Sequence, residues 1–242
     1  MALHFLVESS TAAGVGDIVS LTGAEAKHAA VVRRLRVGEA VTVGDGAGVW
    51  LDGIAEEVSP SRVDVRIAER VDHVAATPRI VLVQALAKGD RDELAVQAAC
   101  ELGVDEIVPW QASRSVSRWE GPKAVKGRER WATIVREAAK QAHRAWLPAV
   151  TAPVSTKQLA ERAGSQRVLL LDPTASVRLS EIEPDGRDLV LVVGPEGGIS
   201  DEELERLTSA GAERVLLGQT VLRTSTAGPA AIAVLSVALG RW

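Results

Sequence analysis

The pattern of apolar and polar positions changes near Thr77-Pro78, which divides the chain into two parts. Before this point, Val63, Val65 and Ile67 alternate with polar or small residues at period two, which is typical of a strand with one buried face. Short apolar runs bounded by Gly and Asp predict strands over residues 18–21, 40–43, 49–54 and 62–68. We therefore predict a small β-barrel or sandwich domain over residues 1–75.

After the boundary, apolar strands alternate with helices, which is typical of a mostly parallel sheet covered by helices. The strands are predicted over residues 80–86, 106–108, 168–171, 189–193 and 214–217, and two of the helices over residues 90–102 and 127–146. The spacing of Ser200 and Glu203 predicts a capping box that opens a further helix. Residues 76–242 are thus expected to form an α/β domain.

The last predicted helix, over residues 230–239, is apolar on every side. Pro229 suits its first position, and Thr226 or Gly228 is a candidate cap. A helix of this kind must be buried, either in the core or against another subunit.

Composition excludes several classes of protein. A chain of 242 residues with 46% hydrophobic content fits one large or two modest globular domains, not a disordered chain. With Cys100 as the single cysteine, four scattered histidines and no CxxC motif, neither a disulfide framework nor a metal site is expected. The sequence has no signal-peptide pattern and no run of 18 apolar residues, so we predict a cytoplasmic protein that does not enter a membrane.

The charge is distributed unevenly. The net charge is −4, yet the segment from Arg114 to Arg144 carries nine Lys or Arg and three Glu, a balance of +6, so the rest of the chain carries −10. Segregated charge of this kind indicates a surface for an anionic partner such as RNA, although solvated helix faces also collect Lys and Arg. With one Phe and no Tyr, a stacking platform for single strands is not indicated.

Two segments that contain glycine follow predicted strands of the second domain. The first is Gly194-Pro-Glu-Gly-Gly198, and the second runs from Leu216-Leu-Gly-Gln to Arg223-Thr-Ser-Thr-Ala227. Sheets of this class bind ligands at the carboxyl ends of their strands, and glycine lets a ligand approach the backbone closely. The GxGxxG spacing and the Walker lysine are missing, which disfavours NAD and ATP; a simple strand-to-helix turn is the alternative.

Taken together in this order, the two segments closely resemble the SPOUT class of methyltransferases and, within it, the RsmE family, which methylates N3 of a uridine in 16S (small-subunit) ribosomal RNA. The resemblance extends to His28–Gly38, Lys88-Gly-Asp-Arg91, Glu101-Leu-Gly-Val104 and Glu137–Arg144. It implies a PUA-like domain over residues 1–75 that binds RNA and a trefoil-knotted SPOUT domain over residues 76–242. It also implies a homodimer, S-adenosylmethionine as cofactor, and 16S ribosomal RNA or the small ribosomal subunit as partner.

The resemblance further implies the site residues. The cofactor is expected to bind among three loops, which run over Leu171–Thr174, Gly194–Ile199 and Leu217–Ala227. It is expected to contact Leu171, Asp172, Gly194, Pro195, Glu196, Gly197, Gly198, Ile199, Leu217, Gly218, Val221, Leu222, Arg223, Thr224 and Ala227. The RNA is expected to contact Arg33, Arg34, Arg36, Arg114, Ser115, Arg118, Lys123, Lys126, Arg128, Lys140, Gln141 and Arg144. Arg114 or Arg223 is expected to stabilise the uracil anion during catalysis; the alternative for Arg223 is an ion pair with Glu196 or with a neighbouring subunit.

Two positions depart from the family pattern. Ser225 stands where the family often has Glu, so a carboxylate there is not an indispensable base, and the general base is unidentified. Lys140 stands where the family often has Glu, which raises the local positive charge. Two other functions remain open: a SPOUT methyltransferase that acts on transfer RNA ribose, and a ribosome-binding factor that keeps the fold without activity.

Overall fold

The computed structural model describes residues 2–7 and 12–242, which fall into two compact units. The first unit contains the described residues up to Ala75 together with Ala139–Leu147, and the second contains Ala76–Ala138 and Pro148–Trp242. Residues 139–147 therefore lie with the first unit, whereas the sequence pattern assigns them to the second domain. Long-range pairing explains this, because the Leu147 N–H donates to the Gly46 carbonyl at 2.8 Å.

The described residues of the first unit form a five-stranded sheet in the order β1-β3-β4-β5-β2. Strands β1 and β3 are parallel, and the other neighbours are antiparallel. The predicted inward face of β5 is confirmed, since Val63, Val65 and Ile67 are buried in the core of this unit. The strand bounds are β1 (Leu3–Leu6), β2 (Ile18–Thr22), β3 (Ala40–Gly44), β4 (Val49–Val58) and β5 (Arg62–Asp72).

Two features of the first unit differ from the prediction. Strand β1 was not predicted, and the described strands belong to one sheet rather than to the two sheets of a sandwich. Between β2 and β3 lies helix α1 (Gly23–Lys27), which continues into a π-helical turn over His28–Val32. Closure of the sheet into a barrel stays a prediction.

The second unit contains a sheet of seven described strands, all parallel, in the order β10-β12-β9-β11-β6-β7-β8. Every residue of β6, β7 and β11 is buried, as expected for parallel strands covered on both faces. This confirms the predicted mostly parallel sheet; the trefoil knot stays a prediction. The bounds are β6 (Ile80–Ala85), β7 (Glu106–Trp110), β8 (Ala149–Val150), β9 (Arg167–Leu171), β10 (Val177–Arg178), β11 (Leu189–Val193) and β12 (Glu213–Leu216).

The helices after β6 are α2 (Arg91–Glu101), α3 (Pro122–Gln141), α4 (Thr156–Arg162), α5 (Asp201–Ser209) and α6 (Thr224–Ala238), with a 3-10 turn at Leu179–Glu181. The capping box of Ser200 and Glu203 is confirmed at the start of α5. A second capping box, made by Ser155 and Gln158, opens α4. Among the described residues, no helix is long and apolar enough to cross a membrane.

Helix α3 begins and ends five residues earlier than predicted. Its carboxyl end is set by His143, which adopts a left-handed conformation with φ of 52°. The Arg144 N–H reaches back to the Ala139 carbonyl at 3.0 Å, and the His143 N–H reaches the Lys140 carbonyl at 3.2 Å. These bonds satisfy carbonyls of the last helical turn, so the helix stops although the apolar pattern continues.

Helix α6 begins at Thr224, so the prediction of a start at Ala230 is wrong. Pro229 lies inside the helix instead of at its first position, and it has no N–H to donate to the Ser225 carbonyl. The predicted burial is confirmed for one side of the helix, where Ala231, Ile232 and Leu235 are fully buried.

Candidate active site

A cavity of about 530 Å³ lies in the second unit, at the carboxyl ends of β9 and β11 and the start of α6. Its volume is in the range of small-molecule sites, roughly 300–1,000 Å³. The lining comes from residues 171–174, 193–196, 198–199, 201, 204, 221–224 and 227, together with Arg91. A smaller cavity of about 80 Å³ shares Leu171 and Val221 with it. Loops that follow neighbouring parallel strands thus converge on one space.

Most residues predicted to contact the cofactor lie at this space. The larger cavity is lined by Leu171, Asp172, Gly194, Pro195, Glu196, Gly198, Ile199, Val221, Leu222, Arg223, Thr224 and Ala227. Leu217 and Gly218 line the smaller cavity. Gly197 lines neither cavity, and a Cβ added there would lie 3.3 Å from the Cβ of Arg114. Its missing side chain therefore leaves room for Arg114, and its contact with the cofactor stays a prediction.

Residues 194–199, called the glycine loop below, need glycine at two positions. A Cβ on Gly194 would lie 2.9 Å from the Ile199 Cγ1, a distance that real contacts essentially never show. Gly198 has a φ of +73°, and its N–H closes a turn onto the Pro195 carbonyl at 2.8 Å. The loop is therefore a tight turn that other residues would widen or strain.

A buried chain of hydrogen bonds fixes the glycine loop to the start of α6. The Thr224 hydroxyl donates to the Gly194 carbonyl at 2.9 Å, and the Gln84 side-chain amide donates to the same hydroxyl at 2.9 Å. Because a hydroxyl has one proton to give, the first bond requires Thr224 to accept from Gln84. This chain links the ends of β6 and β11 to α6 beneath the cavity.

Glu196 in the glycine loop pairs with Arg91 at the first position of α2. The Arg91 Nη1 lies 2.8 Å from the Glu196 Oε1, and the Lys88 N–H donates to the same oxygen at 3.1 Å. Partial burial raises the pKa of Glu196, but hydrogen bonds from its own backbone N–H, from Lys88 and from Arg91 outweigh burial and lower it overall. The alternative of an ion pair between Arg223 and Glu196 is thus wrong, because Arg91 is the observed partner.

The two arginines predicted to assist catalysis differ in their relation to the glycine loop. Arg223 occupies the position directly before α6, is exposed and lines the larger cavity. Arg114 lies in the segment after β7, and its Nη1 donates to the Gly197 and Ile199 carbonyls at 3.2 and 3.4 Å. The glycine loop therefore contacts one of the two arginines directly and shares a cavity with the other.

The predicted RNA contacts in the second unit are mostly exposed. Arg118, Lys123, Lys126 and Arg128 are exposed, and the Arg128 Nε donates to the Val150 carbonyl at 3.1 Å. Ser115 is the exception, because it is 5% exposed and buried. Its burial contradicts a direct contact with RNA.

In the first unit, Arg33, Arg34 and Arg36 are exposed after the π-helical turn, and Arg34 has a left-handed φ of 54°. Gln141 is also exposed, and Arg144 is half-buried. Lys140 is buried, and its Nζ lies 3.0 and 3.1 Å from the two carboxylate oxygens of Glu25. The expectation that Lys140 adds positive charge to an RNA surface is therefore wrong, since Glu25 neutralises it inside the unit.

Sequence reasoning missed Arg91, Val193, Asp201 and Leu204 in the cavity lining. Asp201 and Leu204 belong to the first turn of α5, so the capping box that predicted this helix could also have located them. No local pattern joins Arg91 to Glu196, which is 105 positions away. In the described residues, no group of three His, Cys, Asp or Glu side chains is arranged to hold a metal ion.

Comparisons with known proteins agree with this geometry. Residues 75–236 match the RNA methyltransferase domain family, and residues 21–68 match the RNA methyltransferase PUA domain family. Among solved structures, the ribosomal RNA small subunit methyltransferase E from Neisseria gonorrhoeae, bound to S-adenosylmethionine, has 28% identity and a TM-score of 0.88, with 98% of each chain covered. A methyltransferase from Legionella pneumophila in complex with the same cofactor has 31% identity and a TM-score of 0.85, with 98% of this chain and 97% of that chain covered.

Curated relatives extend the match to the whole length. The ribosomal RNA small subunit methyltransferase E of Mycobacterium tuberculosis is 40% identical, with 100% of this chain and 94% of the relative covered. The protein with the same description from Bacillus subtilis is 33% identical, with 90% of this chain and 89% of the relative covered. Together with the two domain families, this likeness shows that the chain belongs to the ribosomal RNA small subunit methyltransferase E (RsmE) family.

Proposed function

We propose that this chain transfers a methyl group from S-adenosylmethionine to N3 of a uridine in 16S ribosomal RNA. The observation that carries the proposal is the cavity of about 530 Å³ formed by loops at the carboxyl ends of parallel strands. It occurs in a chain of the RsmE family, and related structures hold S-adenosylmethionine.

The cavity fits the cofactor in its lining as well as its size. Backbone groups of the glycine loop, of residues 171–174 and of residues 221–224 are available to hold it, because Gly194 and Gly198 leave the backbone uncovered. When bound, S-adenosylmethionine supplies a methyl group activated by its attachment to a sulfonium. The protein then has to bind and orient the nucleophile in line with that group.

Uridine N3 carries a proton and becomes a good nucleophile only when that proton leaves. A fixed positive charge near the uracil oxygens stabilises the resulting anion and so lowers the barrier. Arg223 lines the cavity, and Arg114 contacts the loop that forms its wall. We assign the stabilisation of the uracil anion to these two arginines. Substituting each one separately and measuring kcat distinguishes their contributions.

RNA binding is assigned to exposed cations on each unit. The second unit contributes Arg118, Lys123, Lys126 and Arg128, and the first contributes Arg33, Arg34 and Arg36, with the half-buried Arg144 beside them in the proposal. Contacts of this type bind phosphates whatever the base sequence, so they fix the register of the RNA rather than select the uridine.

A homodimer is the proposed assembly. Helices α2 and α6 pack together, yet Leu94 on α2 and Val237 on α6 remain exposed, as does Trp242 after α6. Exposed apolar side chains on adjoining elements are typical of an interface between subunits.

The experiment that tests the function is mapping of the methyl group. Purified protein, labelled cofactor and 16S ribosomal RNA or small subunits from a strain that lacks the modification are combined, and nucleosides are identified by mass spectrometry. Label on uridine N3 is expected. Label on ribose, in particular of transfer RNA, would favour the other SPOUT activity, and absence of both label and cofactor binding would favour a non-catalytic ribosome-binding factor.

A further inference from the structure

We propose that Glu203 is a positioning residue that holds Arg114 against the glycine loop, and that methyl transfer depends on Glu203 through Arg114. The inference rests on the proposed function, in which Arg114 assists the reaction. It concerns a carboxylate outside the cavity that the capping role of Glu203 explains only in part.

The two carboxylate oxygens of Glu203 accept four hydrogen bonds from three separate segments. Oε1 accepts from the Ser113 N–H at 2.9 Å and from the Thr156 hydroxyl at 2.8 Å. Oε2 accepts from the Ser113 hydroxyl at 2.8 Å and from the Ser200 N–H at 3.2 Å. A capping box alone requires only the bond from Ser200, so the three remaining bonds serve another purpose.

These bonds are strong because Glu203 is buried and charged. It is 6% exposed, and a buried carboxylate is costly unless donors satisfy it. Burial raises the pKa of Glu203, but the donors from Ser113, Thr156 and Ser200 outweigh burial and lower it below its usual value. All four donor groups are uncharged. The negative charge of Glu203 is therefore stabilised by these hydrogen bonds rather than by a cation, and the carboxylate in turn holds the donors in place.

The bonds fix both partners of the Arg114 contact. Ser113 directly precedes Arg114, and Ser200 directly follows Ile199, whose carbonyl accepts from Arg114 at 3.4 Å. One carboxylate therefore ties the segment that carries the guanidinium to the loop that receives it. Small shifts of a charged group relative to a reacting base lower the rate steeply, by roughly 100-fold for about 1 Å.

Substitution Glu203→Gln tests the arrangement with little change of volume. The two hydroxyl donors can rotate and accept instead, but the two backbone N–H groups cannot. Because Ser113 donates to one oxygen and Ser200 to the other, the amide NH₂ of glutamine faces a backbone N–H in either orientation. Either the segment that carries Arg114 or the glycine loop that accepts its hydrogen bonds must therefore move.

The experiment is a double-mutant cycle on kcat, measured at saturating cofactor and RNA. We expect Glu203→Gln to lower kcat roughly tenfold in the wild type and less than about twofold in an Arg114→Ala background. KM for RNA is expected to stay within about twofold of the wild type, since the substitution leaves the exposed phosphate-binding cations Arg118, Lys123 and Lys126 in place. Glu205→Gln, on the exposed side of the same helix, is the control and should leave kcat unchanged. Thermal unfolding confirms that each variant is folded.

Ser113→Ala is the second variant and removes one donor while the carboxylate stays; we expect kcat to fall about threefold and the effect to vanish with Arg114→Ala. It carries the test if Glu203→Gln does not fold. Equal fold losses in both backgrounds, or a change confined to KM for the cofactor, would overturn the inference. An unchanged kcat for Arg114→Ala alone would also overturn it. The proposed function is tested separately, because none of these results changes which atom of the RNA receives the methyl group.

Discussion

The Arg214 guanidinium on β12 donates from Nε to the buried carboxylate of Asp172 at 2.6 Å. Asp172 follows β9 and lines the cavity, and it also accepts from the backbone N–H and the hydroxyl of Thr174, each at 2.8 Å. Burial raises the pKa of Asp172, but the Thr174 and Arg214 donors outweigh burial and lower it below its usual value. One ionised carboxylate thus orders the first loop of the cavity.

Asp172→Asn is expected to reduce stability by roughly 1–3 kcal/mol at pH 7 and by less at pH 3. Because the folded-state pKa is lowered, the charged form stabilises the folded protein above the unfolded pKa of about 4, and this contribution is lost as the pH falls through the folded pKa. Urea unfolding at several pH values measures it, with Glu69→Gln on the exposed face of β5 as control. A stability difference of equal size at pH 7 and pH 3 would refute the assignment.

Gly194→Ala is expected to weaken binding of S-adenosylmethionine about tenfold. The new Cβ would lie 2.9 Å from the Ile199 Cγ1, so the glycine loop must move where both residues line the cavity. Overpacking of this kind costs roughly 1–3 kcal/mol. Calorimetric titration gives the affinity. Gly164→Ala after α4 is the matched control, because its nearest neighbour is an ordinary 3.6 Å contact with the Glu161 carbonyl; equal affinities for the two variants would count against this loop.

The Lys123→Ala and Arg223→Ala substitutions should affect different steps, the first RNA binding and the second methyl transfer. Lys123 is exposed at the start of α3, so its loss should weaken RNA binding two- to fivefold and lower the salt dependence by about one ion, with kcat unchanged. Arg223 lines the cavity, so its loss should lower kcat roughly 10- to 100-fold with RNA affinity nearly unchanged. Filter binding at several salt concentrations and single-turnover kinetics separate the two. Lys157→Ala, exposed on α4, should change neither, and a shared phenotype would contradict the division of roles.

Val237→Glu is expected to convert a dimer to a monomer. Val237 is 64% exposed on α6, so a charge there leaves the core of one chain intact but is costly in an apolar interface. Light scattering at micromolar concentration gives the mass. Val74→Glu, at a position 91% exposed in the first unit, should leave the mass unchanged. A wild-type protein of monomer mass would exclude the proposed assembly.

The elements that build the cavity were predictable because their signals are local. The apolar run at residues 189–193 predicts β11, the glycines that follow predict a turn, and Ser200 with Glu203 predicts the start of α5. Each signal spans only a few residues, so tertiary packing does not override it.

Contacts between distant segments were not predictable. Helical periodicity places Lys140 on a polar face, but its burial depends on Glu25, which lies 115 positions away. The pairing of Gln84 with Thr224, the first residue of α6, spans 140 positions. Such contacts exist only after the chain has folded, so a single sequence carries no periodic signal for them.

The buried strands β6 and β11 have a consequence for how cofactor binding can be observed. Their backbone amides pair with neighbouring strands in the buried centre of the sheet, so they should exchange with deuterium only on global unfolding. The glycine loop and residues 217–223 lie outside these ladders and should exchange rapidly without ligand. Slower exchange in the glycine loop and residues 217–223 after addition of S-adenosylmethionine would then report cofactor binding. Strands β6 and β11 of the same molecule, whose exchange should not change, serve as the internal reference.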